Sequence, residues 1–340
     1  MPFEKLCKGQ KLSLADFETL IQNRAQYAED LQKLAKEKTE EIFGKKIYIR
    51  GLVEITNICK NDCLYCGIRK SNKNVNRYRL TDAEVLSCCE AGYKAGFKTF
   101  VLQGGEGDID YLPLIREIKK RYPDCALTLS LGEKTYEEYK AWFDAGADRY
   151  LLRHETADCT HYQSLHPKNM LLENRMNCLA DLKEIGYQTG CGFMVGSPNQ
   201  TEKTLAKDLH FIQEFQPHMV GIGPFIPQKD TPFGREPAGS IDLTLYLLSV
   251  LRLMIPNLLL PATTALGSLK DGGREEGILH GANVVMPNIS PDEARKNYTL
   301  YNNKLYTGAE AKEGLALLAE SLKKIDREIA FERGDYKQKN

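Results

Sequence analysis

The chain has 340 residues, 42% of them hydrophobic, and Lys plus Arg equals Asp plus Glu at 46 each, so its formal net charge is zero. That balance excludes a general polyanion binder, because nucleic-acid domains carry excess basic charge. No run approaches the roughly eighteen apolar residues of a membrane span, and Met1-Pro2-Phe3-Glu4-Lys5 begins no secretory signal, so a cytoplasmic protein with neither membrane nor nucleic acid as partner is expected.

Residues 12–44 read as helical. Ser13 and Asp16 fit a capping box, Phe17, Leu20, Ile21, Leu31 and Leu34 recur near helical spacing, and Gly44 closes the segment. It is too polar for a core domain and should pack on the outside of the larger unit that begins at residue 46. From residue 46 a short apolar run alternates with an amphipathic helix. The strand candidates are 47–55, 98–103, 126–131, 148–153, 189–195, 219–223, 258–263 and 283–287. Helical patterns lie between them, among them Thr81–Ala95, Tyr136–Ala145, Thr201–Phe215 and Leu243–Ile255. Such alternation, with strands apolar on both faces, predicts an α/β fold: a (β/α)8 TIM-type barrel with N-terminal and C-terminal helical extensions. An open doubly wound sheet is the runner-up. The expected divisions are an N-terminal extension over 1–45, the barrel over 46–306, and a C-terminal helix and tail over 307–340. That helix carries a stripe of Leu315, Leu317, Leu318, Leu322 and Ile325.

Directly after the first strand comes Cys59-Lys60-Asn61-Asp62-Cys63-Leu64-Tyr65-Cys66. Three thiolates so close can hold three corners of a four-iron cluster and leave the fourth iron open for chemistry. Ferredoxin and zinc sites call for a fourth Cys or a His nearby, and the next His is His154. Ten cysteines in a reducing compartment are not a disulfide framework. Cys7, Cys88, Cys89, Cys125, Cys159, Cys178 and Cys191 are each expected as small buried hydrophobes.

Barrel active sites form where strands end. There the chain places Gln103-Gly104-Gly105-Glu106, Ser130-Leu131-Gly132-Glu133, Arg153-His154-Glu155-Thr156, Gly223-Pro224-Phe225-Ile226-Pro227, Ala262-Thr263-Thr264-Ala265 and Met286-Pro287-Asn288. The glycine pair 104–105 would let a ligand approach the backbone, or simply make a tight turn. Arg153 and Glu155 suit a zwitterion, against a plain surface ion pair; His154 should face away and be structural. Arg175 opens a helix, a position as often solvated as functional. Thr263 and Thr264 could donate to an anion or merely fill a strand. His161, His166, His210, His218 and His280 show no ligand spacing.

With these residues in place the chain resembles the HydE family, radical S-adenosylmethionine (SAM) maturases of FeFe-hydrogenases related to biotin synthase. The resemblance covers roughly residues 46–306. Besides the cysteine loop it rests on Asn76-Arg77-Tyr78-Arg79, on Ala147 to Thr156 with its Arg-His-Glu-Thr end, and on Met219 to Pro227 with its Gly-Pro-Phe-Ile-Pro end. Pro261-Ala262-Thr263-Thr264-Ala265 and Ala282 to Asn288 complete it. It implies one 4Fe–4S cluster on Cys59, Cys63 and Cys66, whose open iron binds SAM, and reductive cleavage to a 5′-deoxyadenosyl radical. It also implies that Tyr65, Gln103, Gly104, Ser130, Glu155, Arg175 and Met219 line the SAM site. Arg153, Thr263, Thr264, Met286, Tyr298 and Tyr301 would face the substrate. The substrate would be a small molecule or organometallic compound, a cysteine-bearing iron carbonyl cyanide precursor. A reducing donor such as ferredoxin, and other hydrogenase maturases, are the implied partners.

Some HydE proteins hold a second cluster on C-terminal cysteines. Here no Cys follows Cys191 and the matching stretch is Tyr306-Thr307-Gly308, so a single cluster is expected. Biotin synthase is a poor rival, since Leu102, Thr128 and Gly190 or Cys191 stand where its second cluster would need ligands. Methylornithine synthase is closer, but a lysine site would favour acidic residues deep in the barrel. A non-enzymatic iron–sulfur scaffold explains the cysteines and not the strand-end polar groups.

Overall fold

Ile47, Tyr48 and Ile49 open a run of buried residues that pairs on both sides, and from it the sheet grows by parallel addition. The structure is a computed structural model and describes residues 1–305 and 311–337. The strands are β1 (Lys46–Ile49), β2 (Gly51–Thr56), β3 (Thr99–Gly104), β4 (Ala126–Ser130), β5 (Arg149–Leu151), β6 (Gln188–Cys191), β7 (Met194–Val195), β8 (Met219–Val220), β9 (Gly223–Pro224), β10 (Val284–Val285) and β11 (Glu328–Ala330). A six-stranded sheet runs β2-β3-β4-β5-β6-β8. Single parallel bridges, Met219 to Leu259 and Pro261 to Val284, carry it onward, and β10 pairs β1 at Tyr48 and Val284, which closes the ring. The expected barrel therefore forms. Four strands differ from expectation: 47–55 breaks at Arg50 into β1 and β2, 189–195 divides into β6 and β7, 219–223 divides into β8 and β9, and 258–263 contributes only the two bridges.

Helices cover the outside. Thr81, Thr135 and Thr201 each cap one by accepting a hydrogen bond from the backbone three residues on. Ser13 caps Leu14–Gln22 with Asp16 as expected, and that helix packs on Glu202–Phe215 while Arg24–Phe43 packs on Ile241–Met254. Of the seven scattered cysteines, Cys88, Cys89, Cys125, Cys178 and Cys191 are buried, but Cys7 and Cys159 are exposed. Both sit on short, one-sided helices that offer no second wall.

The C-terminus departs most. Among the described residues the helix covers Ala311–Lys324; the following Glu328–Ala330 becomes β11, parallel to β1 through Ile47 and Ile329. Behind it the chain plugs the barrel floor. Fully buried Arg149 donates to Thr99 Oγ1 (3.1 Å), Arg333 O (2.7 Å) and Asp335 Oδ1 (2.6 Å). A two-residue alternation cannot sustain a helix stripe, and the free edge of β1 offers it backbone partners. The Tyr306-Thr307-Gly308 stretch lies outside the described residues.

Register sets the lumen. Glu54 pairs with Gln103 and Gln103 with Ser130, so three polar side chains from neighbouring strands share one layer toward the strands' C-terminal ends.

Candidate active site

The cysteine loop has no regular secondary structure, so side chains must hold its backbone. Arg77 does most of this, donating to Asn57 O (2.6 Å), Ile68 O (2.8 Å), Arg69 O (2.6 Å) and Asn72 O (3.1 Å). Asp62 accepts from Arg69 Nε (2.6 Å) and Ser71 Oγ (2.6 Å), and the Arg69 bond keeps its carboxyl well below the usual range. Close packing does the rest. A Cβ on Gly105 would lie 2.2 Å from Ile58 O, and one on Gly67 would lie 1.9 Å from Thr299 O. The Gly104-Gly105 pair thus admits the protein's own cysteine loop: its missing Cβ atoms face Thr56 and Ile58, not open space.

Burial pushes all three thiols up, Cys66 to about 12, and the neighbouring thiols reinforce this at Cys63 and Cys66. Three mutually repelling, half-buried thiols fit a cationic iron cluster, which would favour the thiolates that bare protein disfavours. Among the described residues no group of three or more His, Cys, Asp or Glu is arranged around one metal ion. A cubane asks for one thiolate per iron, and so for a wider spacing than a single zinc ion does.

The thiols open onto a cavity of about 1270 Å³. Its wall brings together Tyr65, Gln103, Gly104, Ser130, Glu155 and Arg175 with Arg153, Thr263, Thr264, Met286, Tyr298 and Tyr301. Met219 is the exception. It sits below, in a separate space of about 20 Å³, where its sulfur accepts from Arg50 Nη1 at 3.0 Å. Lumen-facing positions recur every second residue along a strand, and Met219 lies a layer below the upper cavity, whose wall takes Gly221 and Gly223 from the same segment.

Arg175 is buried despite its place in the first turn of Leu172–Ile185. Its Nε donates to Glu133 Oε1 (2.6 Å) and its Nη1 to Arg153 O (2.8 Å), joining two strand ends to the start of its helix. Burial opposes its charge, but Tyr162 and Glu133 outweigh that and hold its pKa above the ordinary value. Glu155 adopts φ +64°, a left-handed backbone that costs a non-glycine residue about 1–2 kcal/mol. Its carboxylate lies 3.2 Å from Arg153 Nη2 but out of hydrogen-bond alignment, so Glu155 Oε2 and Arg153 Nε and Nη2 keep unused capacity. His154, between them, points away as expected: it is fully buried against Phe211, accepts from Gly192 N (3.3 Å) and lies 3.6 Å from Asp208.

Two site residues have no counterpart among the strand-end groups that the sequence points to. Glu54, on β2, is 1% exposed and lines the cavity. Lys304 reaches it from a strap, residues 297–305, that crosses the mouth. Leu300 O on the strap accepts from Gly67 N (2.9 Å), Asn302 N donates to Pro227 O (3.1 Å), and Tyr298 OH accepts from Gln103 Nε2 (3.3 Å). The strap has no periodicity to mark it. Glu54 did carry a signal: it is the one carboxylate in an apolar strand, at the same parity as Arg50 and Leu52.

The sequence pattern of the Radical SAM superfamily matches residues 53–212. The chain is 46% identical to the FeFe hydrogenase maturase subunit HydE of Thermotoga maritima over 293 residues, which is 85% of this chain and 83% of that protein. It is 29% identical to the 3-methylornithine synthase of Methanosarcina acetivorans over 87% of this chain and 85% of that one. Among solved structures, methylornithine synthase (PylB) superposes with a TM-score of 0.83 at 26% identity, covering 97% of each chain. The FeFe-hydrogenase maturase HydG of Carboxydothermus hydrogenoformans, at TM-score 0.79 and 23% identity over 96% of this chain and 78% of that one, shares the fold.

Proposed function

The chain belongs to the HydE family of the radical SAM superfamily, and from that premise we propose that it matures the FeFe-hydrogenase active site, acting on a cysteine-bearing iron carbonyl cyanide precursor. It is a radical SAM enzyme, and its family implies a 4Fe–4S cluster and SAM. When bound, these supply reductive cleavage of the sulfonium and a 5′-deoxyadenosyl radical.

The observation that carries the reading is the meeting of the three thiols with unpartnered polar atoms on one cavity wall. Cys59, Cys63 and Cys66 would hold the cluster. A single cluster is proposed, since no Cys follows Cys191. Glu155, Gln103 and Ser130 would bind and orient SAM, with Arg175 holding the Glu133 and Arg153 strand ends in place. Tyr298, Tyr301 and the rest of the strap cover the substrate end and would exclude water there. Arg153 and Thr263 present buried donors that make no hydrogen bond, suited to a substrate carboxylate. Their companions Thr264 and Met286 line the same end. A small low-potential electron donor, ferredoxin for example, and other hydrogenase maturases are the proposed partners, in the cytoplasm. No described helix is long and apolar enough to cross a membrane.

Glu54 bears on the methylornithine-synthase alternative, because it is an acidic residue deep in the barrel. Lys304 takes one of its two oxygens, so Glu54 suits the ammonium group of either amino acid and does not by itself favour the synthase. The test is anaerobic: reconstitute the cluster, reduce with dithionite, add SAM, and measure 5′-deoxyadenosine against Cys63→Ala. Cleavage that needs Cys63 and is redirected by the cysteine–iron precursor supports the reading. Redirection by L-lysine alone would reject it in favour of the synthase.

A further inference from the structure

Buried polar atoms without partners show what a cavity is shaped to receive. At the substrate end these are Arg153 Nε, Arg153 Nη2 (3.2 Å from Glu155 Oε2, which also makes no hydrogen bond), the Thr263 hydroxyl, and one oxygen of Glu54, Oε2. All four belong to residues that line the same cavity. Donors alone would specify an anion. Donors facing a buried carboxylate specify a ligand that carries both signs.

The geometry points to Glu54 as the recognition residue for the ammonium group of an amino-acid substrate, whose carboxylate Arg153 and Thr263 take. The inference rests on the cysteine-bearing substrate proposed above and adds the group that reads its amino end. Glu54 already holds one ammonium. Lys304 Nζ donates to its Oε1, also donates to Tyr298 O (3.1 Å), and lies 4.9 Å from the centre of the Tyr298 ring. That arrangement uses one oxygen, while nearby Asn288 and Arg295 also pull the carboxyl's pKa down. Oε2 remains for a second donor, in a layer shared with Gln103 and Ser130. A carboxylate at 1% exposure has little water to substitute for a missing partner, so discrimination should be steep.

The reconstituted, SAM-loaded enzyme is titrated calorimetrically and anaerobically with L-cysteine and with 3-mercaptopropionate, which lacks only the amino group. Glu54→Gln should weaken L-cysteine roughly 30- to 100-fold and leave 3-mercaptopropionate within about threefold. The Glu54→Gln, Lys304→Met double variant removes both charges, so no buried charge is left uncompensated. It should show the same selective loss, which separates recognition from damaged folding. Equal weakening of both ligands, or of neither, overturns the assignment. If wild type ignores L-cysteine but binds L-lysine, the hydrogenase-maturation reading fails, and Glu54 is judged on L-lysine against 6-aminohexanoate. Failure of wild type to bind either amino acid overturns it outright.

Discussion

Lys304→Met should cost roughly 3–5 kcal/mol of folding stability at neutral pH and far less in acid. The Lys304 and Glu54 side chains are 16% and 1% exposed, so solvent screens their attraction little. Burial raises the Glu54 carboxyl, and Lys304 is the largest influence pulling it back. Without Lys304 the folded-state value climbs further above the unfolded value of about 4.3. Each unit of such a rise is worth about 1.4 kcal/mol, and breaking a buried ion pair by removing one partner costs about 3–5 kcal/mol. The sign comes from proton binding: a raised folded pKa means the folded state holds the proton more tightly. Stability from that group is full below the unfolded value and is lost as pH climbs through the folded one. The gap between variant and wild type should therefore open between about pH 4.5 and 8. Urea midpoints at those two pH values, for wild type, Lys304→Met and the Glu54→Gln, Lys304→Met double variant, measure it. The double variant should recover most of the loss and flatten the pH dependence. A loss that is equal at both pH values, or below about 1 kcal/mol, refutes the argument.

Glu155→Gly should relieve the left-handed backbone and leave the urea midpoint unchanged or higher, while SAM affinity by equilibrium dialysis falls at least roughly tenfold. A fall in stability would mean that the φ is not strained. Arg175→Lys keeps a positive charge but cannot reach both Glu133 and Arg153 O, so KM for SAM should rise roughly tenfold with iron content intact. An unchanged KM would reduce Arg175 to a surface-type pair. Gly105→Ala drives a methyl into Ile58 O and should lower iron bound per chain after reconstitution. Gly107→Ala meets nothing within 4 Å and should not, so equal iron in the two variants rejects the packing argument.

The strand and helix alternation, the Ser13 cap and the cysteine loop were legible because each is written within a few neighbouring residues. His154 followed from strand parity, since residues 153 and 155 share a face and 154 cannot. Arg175 was undecidable, because an early helical position is solvated unless another segment covers it. Here Glu133 does, 42 residues away in sequence.

By itself the sequence determined the barrel, the three cysteines and most of the residues at the cavity wall, since strand ends in a closed parallel barrel converge whatever lies between them. Only the tertiary structure decided the rest. It set Met219 a layer below the site, turned Glu328–Ala330 from helix tail to barrel floor, and brought Lys304 onto Glu54 across 250 positions. Lumen layer and long-range pairing depend on register around the ring and on which edge stays open. Those are settled by all the strands together, and no local spacing encodes them.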